Sequence, residues 1–200
     1  ILLVVSNPVD VLTCLAAMLH TGGPQRVLGS GTVLDSARFV SLLAERLEVA
    51  PRSIHAYIVG EHGDSKLALW SGADVGGTPL LQVPDARGRL LSPADRREIA
   101  EQVRTAAGEI IAAKGATNWA IGLAVARIIE AIRRDENAVL TVSHLLKSYH
   151  GLTDVCLSVP CLVGRHGVQR VLEVPMDAQE MAAFAHSVQV IGEVCQAAGL

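Results

Sequence analysis

The sequence predicts an α/β fold at its start, the end of a doubly wound sheet over residues 1–31. An α+β domain of antiparallel strands and long helices follows over residues 32–200. Three observations predict it. An aliphatic run, an apolar helix and a second short aliphatic run stand in strand–helix–strand order before residue 30. Four further segments carry helical apolar spacing, and the remaining β-like segments come in neighbouring pairs, as hairpins do.

Residues 1–5, all aliphatic, read as a strand buried on both faces. Ser6-Asn7 ends it, and Pro8 at the first helical position starts a helix over about 9–19. Thr21-Gly22-Gly23-Pro24 breaks that helix before the strand 26–29. The apolar positions Leu34, Ala37, Phe39, Val40, Leu43, Ala44 and Leu47 predict a helix over 33–47. Ala56-Tyr57-Ile58-Val59 is a buried strand, and 67–70 is a candidate partner for it. Residues 72–88, rich in Gly, Pro and Asp, read as loop. Ser92-Pro93-Ala94-Asp95 caps a helix to about 113. Residues 114–118 interrupt it, and 119–134 resumes with Ile121, Val125, Ile128 and Ile132 on one face. Strands over 138–146, 157–163 and 168–174 follow, and Asp177 caps a last helix to about 198.

Composition narrows the function. Half the residues are hydrophobic and 18% charged, enough for a sizeable core. Seventeen basic against twenty acidic residues, with no basic block, argues against a nucleic-acid partner. A small molecule or another copy of the chain is the expected partner. The four cysteines are scattered without a Cys-x-x-Cys pair, which argues against a zinc site or a disulfide scaffold and for reduced thiols in a cytoplasmic protein. No metal site is expected. No apolar run approaches the roughly 18 residues that span a bilayer, and no signal-peptide pattern is visible. The chain opens without Met inside a core strand, so an N-terminal part is expected to precede it.

The chemistry centres on Gly60-Glu61-His62-Gly63-Asp64-Ser65. A histidine at a strand's end can give or take a proton near neutrality, and glycines on both sides leave room for an approaching molecule. The alternative is a polar turn with a satisfied histidine. Asp35 and Arg38 lie three apart at the start of a helix and share a face. They form either a surface ion pair or a functional pair, in which the guanidinium fork grips a carboxylate. Both Asp35 and Asp64 are available as the carboxylate that orients His62, and spacing does not choose between them. A serine hydrolase on Ser65 and His62 is disfavoured, because no Gly-x-Ser-x-Gly elbow is present and the two residues are too close in sequence.

Four motifs in order resemble the L-lactate dehydrogenase family of the lactate/malate dehydrogenase superfamily. They are Ser6-Asn7-Pro8-Val9-Asp10, the run from Gly29 through Asp35 and Arg38 to Phe39, the His62 hexapeptide, and the run from Lys114 through Thr117 and Ile121 to Gly122. Leu157-Ser158-Val159-Pro160-Cys161 also fits the pattern. The resemblance spans essentially the whole chain. It implies that residues 1–31 are the remnant of a Rossmann-type NAD-binding domain and 32–200 the catalytic domain. It implies catalytic roles for His62, Asp35 and Arg38, and substrate contacts from Asn7, Arg38, Thr117 and Asp35. Cofactor contacts are implied for Val5, Ser6, Asn7, Ser30 and Ile121, with NAD as the cofactor, a small 2-keto or 2-hydroxy acid as substrate, and a homotetramer or homodimer as the assembly. Malate dehydrogenase and a non-catalytic fragment are the alternatives. Bacterial relatives controlled by fructose 1,6-bisphosphate carry an arginine two residues after the position of Arg38. This chain has Val40 there, with His55 retained, so such control is not expected. Lys66 stands where an acidic residue is common, and the sequence offers no account of it.

Overall fold

The computed structural model describes residues 1–114, 118–151 and 154–199, without the side chains of 107–118. Strand β1 (Leu2–Val4) leads into α1 (Val9–Leu19), and after a single 3-10 turn β2 (Val27–Gly29) leads into α2 (Val33–Leu47). Then come β3 (Ile54–Val59), β4 (Leu67–Val75), β5 (Thr78–Pro79), α3 (Pro93–Lys114) and α4 (Asn118–Arg134). The chain continues through β6 (Ala138–Leu146), β7 (Val155–Gly164), β8 (Gly167–Val171) and α5 (Ala178–Ala197).

Two sheets form. The larger has the order β1-β2-β6-β7-β8, parallel between β1 and β2 and antiparallel thereafter; the smaller is the antiparallel β3-β4-β5. One core packs α4 and α5 against the large sheet around Leu28, Ile128, Val142, Leu157 and Phe184. A second packs α2 and α3 against the small sheet around Phe39, Leu43, Ile58, Leu80 and Ile99. The helices begin where the capping residues stand. Ser92 and Asp95 bond each other's backbone and side chain before α3, and Asp177 and Glu180 form a capping box on α5.

Several expectations are corrected. Within the described residues β1 has one neighbour, β2, and Leu2 is exposed, so the expected burial on both faces is not seen there. Pro8 caps α1 from outside, in extended conformation, instead of opening it. The expected loop over 72–88 contains the end of β4 and all of β5, because Asp74 and Val75 continue the hairpin onto Pro79 and Thr78. The last strand stops at Val171, where its pairing with β7 ends.

The sheets meet where the chemistry was expected. Just past β3, Gly60 exchanges two backbone hydrogen bonds with Ser158 of β7, at 2.8 and 2.9 Å. Gly60 has φ of +92°, and a Cβ there would stand 2.6 Å from Ser187 Oγ. A side chain at this position would therefore collide with α5 and strain the turn.

Candidate active site

Asp35 sits in the first turn of α2, and this turn is fastened to β3. Thr32 Oγ1 donates to the Ile58 carbonyl at 2.6 Å, and the Ile58 N–H donates to Ser36 Oγ at 2.9 Å. Ser36 also bonds Thr141 of β6 at 2.9 Å. Thr32 and Ser36 thus fix the start of α2 beside the end of the strand that carries His62. Local spacing gives neither residue this role, because their partner Ile58 lies 26 and 22 residues further along the chain.

The His62 turn is held by side chains from two helices. The Glu61 N–H donates to Ser187 Oγ of α5 at 2.6 Å, and the His62 N–H donates to Asp10 Oδ2 of α1 at 2.7 Å. Burial, opposed by the hydrogen bond from the His62 N–H, raises the Asp10 carboxyl to about 6. Asp10 belongs to a quoted motif, but nothing in its spacing showed that it reaches 52 residues along the chain. Gly63, expected to clear space around the ring, has no positive φ, and its nearest neighbours are the movable tip of Glu61. Gly60 is the glycine the turn requires.

The structure decides which carboxylate faces the imidazole. His62 Nδ1 lies 3.0 Å from Asp35 Oδ2, with the Asp35 side chain 1% exposed and the histidine 23%. Burial pushes the Asp35 carboxyl up, but the hydrogen bond from His62 and the charge of Lys66 outweigh it and hold the group below its ordinary value. Lys66 Nζ stands 2.9 Å from Asp35 Oδ1. This is the ion pair that the sequence left unread.

Arg38, one turn beyond Asp35, lines a cleft between α2, α3 and α4 with Leu34, Ser41, Leu42, Gln102 and Ala120. Its Nη2 is buried without a hydrogen-bond partner among the described residues. A solvated surface pair would leave no such orphan. The described lining of this cleft includes Arg38 but not His62, and Thr117 lies outside the described residues. Val5, Ser6 and Asn7 are exposed at the carboxyl end of β1. Beside them Ser30 is buried, its N–H donating to the Val4 carbonyl at 2.8 Å. Ile121 is half-buried against the large core.

Residues 32–197 match the family described as lactate/malate dehydrogenase, alpha/beta C-terminal domain. The chain belongs to the lactate/malate dehydrogenase family. Among curated relatives, L-lactate dehydrogenase of Gloeobacter violaceus is 51% identical over 191 residues, covering 96% of this chain and 58% of the relative. L-lactate dehydrogenase of Thermus aquaticus is 47% identical, covering 100% and 64%. The crystal structure of the minor L-lactate dehydrogenase from Enterococcus mundtii superposes with a TM-score of 0.90 at 41% identity, over 98% of this chain and 62% of that one. The chain thus spans about three fifths of the length of the relatives it matches. No helix among the described residues of this family member is long and apolar enough to cross a membrane.

Proposed function

We propose that this chain is the substrate-side portion of an NAD-dependent L-lactate dehydrogenase, interconverting L-lactate and pyruvate. The contact that carries this reading is the His62–Asp35 dyad: a partly accessible imidazole held through Nδ1 by a buried carboxylate. That arrangement leaves Nε2 to exchange a proton with substrate and stabilises the imidazolium that forms. His62 gives its proton to the keto oxygen of pyruvate, and takes one from the hydroxyl of lactate in reverse. Arg38 grips the substrate carboxylate, the planar anion that its unpartnered, buried Nη2 lacks. Asn7 contacts the substrate oxygen, and Thr117 and Ile121 shape the pocket.

Val5, Ser6 and Asn7 fit a dinucleotide's nicotinamide end, because they lie open at the carboxyl end of a parallel strand beside Ser30. When bound, the nicotinamide supplies the hydride donor and acceptor. Residues 1–31 are read as the end of the NAD-binding domain and 32–200 as the catalytic domain; the parallel β1–β2 pair and the start of the family match at residue 32 support this division. Trp119, Leu123 and Ile129 are exposed on α4, which supports a homo-oligomer, dimer or tetramer. A cytoplasmic location is proposed with it. Val40 packs against the second core and His55 pairs with Asp74, which supports the absence of control by fructose 1,6-bisphosphate.

Among the alternatives, the names of the relatives favour lactate over malate, and the intact dyad favours an enzyme over a non-catalytic remnant. The test is substrate choice by the full-length protein. NADH consumption with pyruvate is expected to exceed that with oxaloacetate by at least about tenfold in kcat/KM. The reverse preference would assign the chain to malate, and no turnover with either would sink the reading.

A further inference from the structure

Asp35 divides its charge between two partners. Oδ2 faces His62 Nδ1 at 3.0 Å and Oδ1 faces Lys66 Nζ at 2.9 Å. The lysine side chain is 9% exposed, so solvent screens this pair only weakly. Asp35 is the one carboxylate within ion-pair range of Lys66 among the described residues. The acidic groups that share its cavity are engaged elsewhere. On α3, Glu101 is held by Arg104; on α5, Glu180 accepts from the Trp70 and Ser71 N–H groups. Arg97 and Arg104 line the same cavity and add positive charge. Of the acidic groups around the His62 turn, Asp10 accepts from the His62 N–H and Glu61 from Ser65.

We propose that Lys66 is a positioning residue of the proton-transfer dyad, which takes up part of Asp35's charge and so limits how firmly the carboxylate holds the protonated form of His62. This rests on the reading of His62 as acid and base. The consequence has a direction. A neutral imidazole accepts the hydroxyl proton of lactate, and a protonated one serves pyruvate. Lys66 therefore shifts the working range of lactate oxidation toward neutral pH, and narrows that of pyruvate reduction on the alkaline side. An acidic or neutral residue at this position would leave the whole carboxylate charge to the histidine.

The experiment compares the full-length protein with Lys66→Met, Lys66→Gln and Lys66→Arg. Profiles of kcat/KM against pH are recorded in both directions, and the ring-proton resonance of His62 is titrated by NMR. In Lys66→Met and Lys66→Gln both midpoints are expected to move upward by about half a pH unit or more. Lys66→Arg keeps the wild-type midpoint, because it restores the charge. If Lys66→Met fails to fold, Lys66→Gln, which can still donate to Asp35 Oδ1, carries the measurement. A midpoint that stays in place or moves downward in the folded variants overturns the proposal. The NMR titration needs no turnover, so it judges Lys66 even if pyruvate proves not to be the substrate.

Discussion

Two histidine–aspartate pairs flank the β3–β4 hairpin, and they differ in almost everything except composition. His55 Nδ1 lies 3.3 Å from Asp74 Oδ1 across the two strands, with side chains 62% and 32% exposed. His62 Nδ1 lies 3.0 Å from an aspartate that is 1% exposed and carries a second, lysine partner. Asp74 is held below its ordinary value first by the Gly77 N–H, a local turn contact, and only then by His55. Asp35 has no local donor of that kind. Its charge is kept in the interior by His62, 27 residues away, and Lys66, 31 residues away. A carboxylate that water can reach needs no histidine, whereas one shut away from water is coupled to whatever cation the fold brings to it.

The comparison can be broken by four measurements. The largest effect is expected at the imidazoles. His62→Ala is expected to lower kcat by about 10² to 10⁴, the usual worth of a positioned acid or base, while His55→Ala leaves it unchanged. Steady-state kinetics on the two variants decides, and equal losses would remove the distinction. Next come the carboxylates. Asp35→Asn strands Lys66 in the interior and is expected to destabilise the fold by about 3–5 kcal/mol, against less than about 1 kcal/mol for Asp74→Asn, as read by urea unfolding.

The third contrast sharpens the role of the α2 cleft. Arg46 lines it too, but it is already paired with Asp95 at 3.1 Å and Glu98 at 2.9 Å, whereas Arg38 has an unpartnered nitrogen. Arg38→Lys is expected to raise the pyruvate KM about tenfold or more through loss of the fork, and Arg46→Lys to leave it alone. Unchanged KM in both would return Arg38 to a structural role.

The smallest effect concerns Asp10, which ties α1 to the His62 turn. Its folded value of about 6 is above its ordinary 3.8, because burial opposes the charge. The stability that follows is therefore present in full below pH 4 and lost as pH rises through 6. Asp10→Asn, which can still accept from the His62 N–H, is expected to unfold at higher urea than wild type at pH 8, by about 1–3 kcal/mol, and to differ little at pH 4. A difference independent of pH would show that the carboxyl is not ionising in the interior.

The sequence by itself determined the helices and most of the strands, and it marked His62, Asp35 and Arg38 as candidates. These follow from apolar periodicity, from Pro, Ser and Asp at helix starts, and from motifs whose spacing is local. The helix over 33–47 and the strand over 138–146 occur with the bounds their spacing predicts. Spacing left Asp35 and Asp64 open and only the resemblance favoured Asp35, which tertiary structure sets against His62; tertiary structure alone decided that Asp10 reaches the His62 backbone and that Lys66 shares Asp35. Each is a contact between residues 27 or more apart in the chain, made when α1, α2 and β4 close around one turn. The sequence also missed the length of β4. Whether a strand finds a second neighbour, or a hairpin continues past a glycine, depends on pairing partners that local composition does not name.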